Sequence, residues 1–328
     1  MTKRERIEAA LHRRPVDRPP VAFWRHVPER DHTARGLADA MLSFQRRWDL
    51  DLIKIMSSGV YCVEDWGCKV AYQGSPNGAK TCTQHAVRQP SDWERIKPLD
   101  PGRGALGREL EALGLILTGR DDDVPVLHTV FAPLTIARKL AGDRLDQDLR
   151  DHAEAVMGAL EAITETVIRY LREVDGLGAD GIFYASQAAS CDVVAEGDHA
   201  KFSMPYSWRV LESLSGGPMW TLLHVHGQHI YFDRKATLPA AAMNWHDRRT
   251  APALGDGLRR FQGAVVGGLN ESQTLRTGPP AAVAADVADA IRQTAGTGVI
   301  IAPGCVLPLD VPDASLDAVV KAVNRSQS

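Results

Sequence analysis

The chain has few cysteines, and they follow no regular spacing. Five occur in 328 residues, namely Cys62, Cys68, Cys82, Cys191 and Cys305. An odd number at irregular intervals in a chain of this length does not predict a disulfide framework. A buried, unreactive thiol is therefore the default expectation for each of them.

Long apolar runs and a surplus of basic charge are also absent. No stretch approaches the roughly 18 apolar residues of a membrane-spanning helix, so none is expected. The amphipathic start, residues 1–11, lacks the apolar core of a signal peptide, which favours a cytoplasmic location. Acidic residues outnumber basic ones by 41 to 38, and this balance argues against a nucleic-acid partner.

Eight short, β-rich apolar runs alternate with stretches of helical period. They are 20–25, 52–57, 124–131, 181–185, 220–226, 241–245, 263–269 and 298–302. This alternation predicts an α/β protein, a single (β/α)₈ TIM barrel spanning 1–328 with a helix before the first strand. A doubly wound sheet stays open as an alternative, because periodicity alone does not reveal barrel closure.

Two connections and one helical segment differ from the rest of the pattern. The segment 59–90 has little helical period and is interpreted as an insertion after strand two, a small hairpin over the mouth. The connection 227–239 between strands five and six is unusually short. The pattern over 145–174 predicts one long helix whose apolar stripe comprises Leu160, Ile163, Val167 and Leu171.

Histidines concentrate at the predicted strand ends. Of the 11 histidines, five lie at or just past such an end: His26, His128, His224, His226 and His246. Barrel enzymes place their chemistry at the carboxyl ends of the strands, so these side chains are expected to converge. For His128 alone, a core histidine bonded to its surroundings is the favoured interpretation.

The sharpest local pattern is His224-Val225-His226-Gly227 at the end of strand five. Residues two apart on a strand point the same way, so both imidazoles would face the barrel axis about 6 to 7 Å apart. Cys305 follows the last strand and could meet them across the mouth. Two imidazoles and a thiolate with one open position are typical of catalytic zinc, although a bare His-x-His is weak evidence.

Other polar residues near strand ends are candidates for chemistry or binding, and each also has a structural explanation. Arg25 could clamp a carboxylate, whereas Lys54 could simply be paired. Glu64 and Asp65 could act as acid or base, although solvated loop carboxylates are commoner. The predicted catalytic set is Arg25, His26, Glu64, His246 and Glu271, and the predicted substrate-binding set is Trp24, Lys54, Tyr184, Gln187, Asn244 and Asn270.

Several segments, taken in order, resemble the uroporphyrinogen decarboxylase superfamily. They are Arg4-Glu5-Arg6-Ile7, residues 14–21, Ala132-Pro133-Leu134-Thr135, Gly178-Ala179-Asp180-Gly181, Phe202-Ser203-Met204-Pro205-Tyr206 and residues 303–308. The resemblance covers nearly the whole chain. It implies a single barrel with its active site at the mouth.

The superfamily contains a metal-free branch from which this chain departs. True uroporphyrinogen decarboxylases use a pair of early arginines, an aspartate after strand two and a histidine in the final loop. Here Arg25 and Arg30 stand in a different context, and Ser57-Ser58-Gly59-Val60 contains no aspartate. Cys305 occupies the place expected for the histidine. These departures argue against decarboxylation of a tetrapyrrole.

The chain is more similar to the corrinoid-dependent methyltransferases that methylate coenzyme M. That branch binds zinc through His-x-Cys after strand five and a cysteine after strand eight. The resemblance therefore implies zinc ligands at His224, at His226 in place of the first cysteine, and at Cys305. It also implies a corrinoid carried on a partner protein, since no corrinoid-binding motif is evident here.

Three functions follow as hypotheses. The first is zinc-dependent methyl transfer between a corrinoid or small-molecule donor and a thiol acceptor. The second is a decarboxylase or lyase acting on a carboxylated pyrrole or related small acid held by Arg25. The third is a binding protein that has kept the barrel but lost catalysis. The substrate, donor and oligomeric state stay open, and a homodimer is compatible with the sequence.

Overall fold

The computed structural model describes residues 1–121 and 123–325 and has a TIM-barrel-like fold. Its strands are β1 (Ile53–Lys54), β2 (Lys69–Tyr72), β3 (Lys80–Gln84), β4 (Val126–Phe131), β5 (Gly181–Ser186), β6 (Trp220–Val225), β7 (Ala242–Trp245), β8 (Ala264–Leu269) and β9 (Val299–Pro303). A curled parallel sheet has the order β1-β4-β5-β6-β7-β8-β9. The antiparallel pair β2–β3 stands apart from it.

The curled sheet is closed by a segment that forms only one bridge. Val21 pairs in parallel with Ile301 of β9, and its carbonyl accepts the N–H of Asp51 at 3.0 Å. The segment thus lies between β9 and β1, as the predicted first strand should. The extent predicted for that strand, 20–25, is wrong. Pro19 and Pro20 carry no N–H and cannot donate to a ladder, so the pairing stays short.

Helices pack around the sheet. They are α1 (Lys3–Leu11), α2 (Ala34–Trp48), α3 (Tyr61–Glu64), α4 (Gly104–Gly119), α5 (Pro133–Ala141), α6 (Arg144–Asp151), α7 (Ala153–Gly176), α8 (Glu196–Phe202), α9 (Met204–Glu212), α10 (Phe232–Lys235), α11 (Leu254–Arg260), α12 (Thr274–Thr277), α13 (Pro280–Thr294) and α14 (Asp313–Arg325). A 3₁₀ turn covers Pro90–Arg95. Within the described residues, none of these helices is long and apolar enough to span a membrane.

The single helix predicted over 145–174 is divided in the structure. His152 separates α6 from α7, because its backbone angles of φ −137° and ψ 37° lie outside the helical region. An apolar stripe shows which face of a helix is buried. It does not reveal where one helix ends and the next begins when both have the same period. The predicted stripe itself is buried in α7, from Leu160 to Leu171.

The predicted insertion after strand two is confirmed as a hairpin that reaches the mouth. Its turn accepts a hydrogen bond from the N–H of Leu309, in the loop after β9, to the carbonyl of Pro76 at 2.8 Å. Lys80 at the start of β3 pairs with the buried Asp31. The short connection between β6 and β7 is also confirmed, since it contains only the single turn α10.

Candidate metal centre

The end of β6 and the loop after β9 bring three predicted ligands together. The rings of His224 and His226 have centroids 5.8 Å apart. The sulfur of Cys305 lies 3.8 Å from Nε2 of His224 and 3.6 Å from Nδ1 of His226. All three ligand atoms lie within 4.8 Å of one another. The arrangement predicted from the sequence is thus present as a cluster.

The spacing of these atoms suits a single tetrahedral ion. Zinc bonds of about 2.0–2.1 Å to nitrogen and about 2.3 Å to sulfur, at tetrahedral angles, separate N from S by roughly 3.6 Å. The two observed N···S distances, 3.6 and 3.8 Å, match that separation. The donor set therefore fits zinc, with one position left for a further ligand.

Gly227 allows the chain to leave β6 in the required direction. Its φ is +125°, in a region that L-residues with side chains rarely adopt. A Cβ at this position would lie 2.7 Å from both Cβ and Oγ of Ser190. The glycine after the two histidines is therefore needed by the backbone of the site.

The cysteine sits among three imidazoles. Burial raises the pKa of the Cys305 thiol, but hydrogen bonds with His224, His226 and His246 outweigh burial and hold that pKa well below its usual range. The thiolate is the form that binds a metal ion. The electrostatics of the cluster consequently favour a ligand-competent sulfur.

Asn244 of β7 fixes the orientation of His224. Its amide nitrogen donates to the carbonyls of Val266 and Pro303 at 2.8 and 3.1 Å, so its oxygen must face the ring. That oxygen lies 2.6 Å from Nδ1 of His224, which must therefore carry the proton. The lone pair on Nε2 is left facing Cys305. Asn244 thus orients His224, and its role as a substrate-binding residue stays a prediction, with its amide hydrogens already donated to backbone carbonyls.

His246 and Glu271 form a second layer beside the cluster. Nε2 of His246 is 3.2 Å from Nδ1 of His226, and its Nδ1 is 3.0 Å from Glu271. Arg249 donates to the same carboxylate at 2.7 Å. Burial lowers the pKa of His246, yet hydrogen bonds with Cys305 and Glu271 raise it overall to about 9. Both predicted catalytic residues are therefore at the site.

An aromatic and cationic floor lies beneath the ligands. Phe183 stacks on His224 with centroids 5.2 Å apart, and Trp24 packs edge-on against Phe183 at 5.5 Å. Lys54 places its Nζ 4.4 Å from the Phe183 ring centroid, and burial lowers its pKa to about 7. Trp24 and Lys54 therefore lie inside the barrel, with Trp24 supporting Phe183 from behind.

His26 also lies at the mouth. It is buried beneath the hairpin, where a Cβ on Gly78 would lie 2.9 Å from its own Cβ. Burial and the nearby Lys54 lower its pKa to about 3. Its Nδ1 has no hydrogen-bond partner among the described residues. His26 is thus a neutral imidazole with one unengaged nitrogen.

Two predicted residues point away from the site. Arg25 directs its guanidinium to the carbonyl of Val311 at 2.8 Å and over the ring of Phe44 in α2. Tyr184 donates its hydroxyl to Ser207 of α9 at 3.1 Å. Side chains alternate along a strand, so Phe183 faces the barrel interior and Tyr184 faces the helices. The predicted roles of Arg25 and Tyr184 stay predictions, and these contacts do not support them.

Three loop residues have local structural roles instead. Glu64 accepts from Arg108 of α4 at 2.9 Å, and Asp65 accepts the N–H groups of Ala105 and Leu106 at the start of that helix. Asn270 accepts the N–H groups of residues 272 and 273 and shapes the turn after β8. These contacts occupy the groups that the predictions of catalysis or substrate binding required.

The structure places Gln187 just after a strand end and His128 in the core, and the substrate-binding role of Gln187 stays a prediction. Gln187 follows β5 and is half-buried, held through its backbone N–H by Thr135 at 2.9 Å. His128 is buried, with Nε2 2.7 Å from the Tyr170 hydroxyl, as expected for a core histidine. Sequence reasoning missed Phe183 and Arg249. The inward alternation of β5 could have found Phe183, whereas no local signal distinguishes Arg249 from Arg248.

Comparison with known proteins gives a consistent result. The family profile for uroporphyrinogen decarboxylase (URO-D) matches residues 2–326. The methylcobamide:CoM methyltransferases MtbA of Methanosarcina acetivorans and Methanosarcina mazei are 22% and 23% identical, over 99% of this chain and 98% of theirs. A solved methyltransferase from Methanosarcina mazei superposes with a TM-score of 0.88 at 22% identity, covering all of both chains.

Proposed function

The chain belongs to the uroporphyrinogen decarboxylase family, and we propose that it is a metal-dependent methyltransferase that moves a methyl group from a corrinoid to a thiol. The observation that carries the proposal is the cluster of His224, His226 and Cys305, whose N···S distances suit tetrahedral zinc. The similarity to proteins named methylcobamide:CoM methyltransferases supports the choice of donor and acceptor.

Different residues of the chain would bind the metal ion and stabilise the acceptor thiol. His224 through Nε2, His226 through Nδ1 and Cys305 through its sulfur would hold the ion. A bound zinc ion supplies a Lewis acid that lowers the pKa of an acceptor thiol to neutral pH. His246 lies beside the cluster with Glu271 behind it. With its pKa raised to about 9, His246 is a cation at neutral pH, and it is placed to stabilise the negative charge of the acceptor thiolate.

The methyl donor would reach the site from outside the chain. We propose that a methylated corrinoid on a partner protein docks at the barrel mouth, where the hairpin β2–β3 and the loop after β9 meet. Compared with a His-x-Cys site, His226 supplies a neutral ligand in place of a thiolate. The resulting site carries one less negative charge, and its acceptor thiol is correspondingly less nucleophilic.

The first test is metal content and turnover in matched histidine variants. Wild-type protein should bind one zinc equivalent and accelerate demethylation of methylcobalamin by a thiol. His224→Ala should lose the stoichiometric zinc and reduce this rate by at least about a hundredfold, since a ligand is removed. The exposed His32→Ala is the control and should retain both properties. Zinc-free protein with full activity, or unchanged zinc in His224→Ala, would contradict the proposal.

A decarboxylase is the less favoured function. It depended on Arg25 as the anchor for a substrate carboxylate, and that guanidinium is directed to the Val311 carbonyl and the Phe44 ring. Lys54, a buried amine of the interior, lies against Phe183 and the Met56 sulfur. These contacts give no paired clamp for a planar carboxylate, which favours methyl transfer.

A further inference from the structure

Three thiols lie under the hairpin β2–β3, away from the metal centre. Cys62 belongs to α3, Cys68 immediately precedes β2, and Cys82 lies within β3. The thiols of Cys68 and Cys82 are hydrogen-bonded to each other. Both sulfurs also approach the carbonyl oxygen of Lys139 in α5, at 3.9 and 3.4 Å. The two cysteines therefore form a contacting pair.

The register of the hairpin explains why they meet. Val70 pairs with Cys82, and the pairing shifts at a bulge between Lys69 and Val70. Cross-strand partners share a face, and Cys68, two residues before Val70, points to that same face. This face packs against α5. The turn and the bulge thus bring Cys68 and Cys82 together, although they are 14 positions apart in the sequence.

The charges around the pair make its two members unequal. The hydrogen bond from Cys68 lowers the pKa of Cys82, and His85 of the hairpin and Lys139 of α5 add to this effect. Together they outweigh burial and the carboxylate of Glu64, so the pKa of Cys82 lies below the usual range of a thiol. The pKa of Cys68 is raised by the same hydrogen bond and by burial. Burial also raises the pKa of Cys62, to about 12, which leaves it unreactive.

Access to solvent follows the same division. Cys82 is half-buried, whereas Cys68 is buried behind it. Cys82 is thus a thiolate that solvent can reach, and Cys68 is a protonated thiol that solvent cannot reach. This arrangement is typical of an attacking cysteine next to a resolving cysteine.

We propose that Cys82 and Cys68 form a thiol–disulfide exchange site that reacts with low-molecular-weight disulfides. The Cys82 thiolate attacks one sulfur of the small disulfide, forms a mixed disulfide and expels a small thiolate. Cys68 then loses its proton and attacks the Cys82 sulfur, which expels the second small thiolate. The two protein thiols are oxidised by two electrons to one disulfide, and the small disulfide is reduced to two thiols.

Oxidation would change how the hairpin is held. Neither sulfur of the disulfide carries a hydrogen, so the Lys139 carbonyl no longer accepts from a thiol and the hairpin is less firmly attached to α5. The same hairpin meets the loop after β9 at the Leu309–Pro76 hydrogen bond. The exchange site is thereby connected to the mouth without contributing to the metal cluster.

The test uses the reduced full chain, glutathione disulfide as the oxidant and peptide mass spectrometry without reductant. Wild-type protein should yield a peptide pair joined through Cys68 and Cys82. Cys68→Ser should trap glutathione on Cys82, because the resolving thiol is gone. Cys82→Ser should leave Cys68 unmodified. Cys191→Ser removes an exposed thiol elsewhere and should leave the joined pair unchanged.

The pH dependence of alkylation separates this site from an accidental pair. The rate of Cys82 alkylation by iodoacetamide should level off at a lower pH in wild-type protein than it does for an ordinary thiol. In Cys68→Ser the midpoint should move upward, because the hydrogen bond that stabilises the thiolate is weakened. Preferential modification of Cys191, with Cys82 unreacted and no joined pair, overturns the proposal. So does an alkylation midpoint that is the same in both proteins.

Discussion

At the scale of single residues, the metal centre depends on which nitrogen of each imidazole is free. His224 presents Nε2 because Asn244 accepts the proton on Nδ1, and Asn244 is itself oriented by two backbone carbonyls. His226 instead presents Nδ1, which lies 3.6 Å from the Cys305 sulfur. Hydrogen bonds behind the ligands therefore decide whether the ligands can act together.

Asn244→Ala should lower zinc affinity by about 10–100-fold, since partners that orient metal ligands typically have effects of this size. Competition with a chromogenic chelator measures this affinity. Ser207→Ala is the matched control, because Ser207 is also buried and its hydroxyl accepts from the outward-facing Tyr184. Equal affinity in the wild type and Asn244→Ala would remove Asn244 from the site.

Lys235 of α10 is a buried amine that forms no ion pair within residues 1–121 and 123–325, and its Nζ lies 3.2 Å from the Ser203 hydroxyl. Burial lowers its pKa from 10.5 to about 7. Between these values the unfolded chain binds more protons than the folded chain, so this group makes the free energy of unfolding rise with pH. The cost of burying the charge is fully present below about pH 7.

Lys235→Met should accordingly be more stable than wild type, by on the order of a few kcal/mol at about pH 6. The difference should shrink steadily as the pH rises toward 10. Urea unfolding at several pH values measures it. A difference that is constant with pH would show that Lys235 stays charged in the folded protein.

At the scale of elements, the hairpin β2–β3 is fastened to the mouth at its turn. Gly74 and Gly78 both have positive φ, +82° and +76°. A Cβ on Gly78 would lie 2.9 Å from His26 Cβ and 3.0 Å from a Leu309 methyl, whereas nothing lies within 4 Å at Gly74. The two glycines thus share a backbone requirement but differ in their contacts.

Gly78→Ala should therefore detach the hairpin turn from His26 and Leu309. Gly74→Ala should only destabilise the protein by about 1 kcal/mol, because alanine is strained at a positive φ. Hydrogen exchange at the Leu309 amide, which bonds to Pro76, should be at least about tenfold faster in Gly78→Ala than in Gly74→Ala. Equal exchange in the two variants would indicate that the turn does not depend on this close approach.

At the scale of the whole molecule, one buried carboxylate holds the ring closed. Asp51 accepts from Arg6 of α1, from Arg18 and from the N–H of Val21. It is fully buried and lies two residues before β1. The closing segment, the first helix and the first strand therefore meet at a single side chain.

Asp51→Asn should destabilise the protein by about 3–5 kcal/mol, because it leaves the buried Arg6 with one fewer charged partner. Asp17 also pairs with Arg6 but is about one-third exposed, so Asp17→Asn should cost about 1 kcal/mol or less. Urea unfolding gives both values. Similar losses for the two variants would argue that closure does not depend on Asp51.

The sequence by itself determined the order of the strands and most of the metal cluster. Strand ends of a parallel barrel all open to one face, so a His-x-His on one strand and a cysteine after another were bound to approach each other. The hairpin could also be predicted from the sequence, because residues 59–90 have little helical period. Alternation along β6 correctly places His224 and His226 on the same side, and their role as metal ligands stays a prediction.

Only the tertiary structure decided which polar residues serve the site and which serve the scaffold. Arg25, Glu64 and Asn244 all lie near predicted strand ends. Their side chains form hydrogen bonds with Val311, Arg108 and His224, respectively. Those partners lie 20 to 286 positions away. A hydrogen bond or ion pair depends on distance and direction in space, and neither follows from the local pattern around one residue.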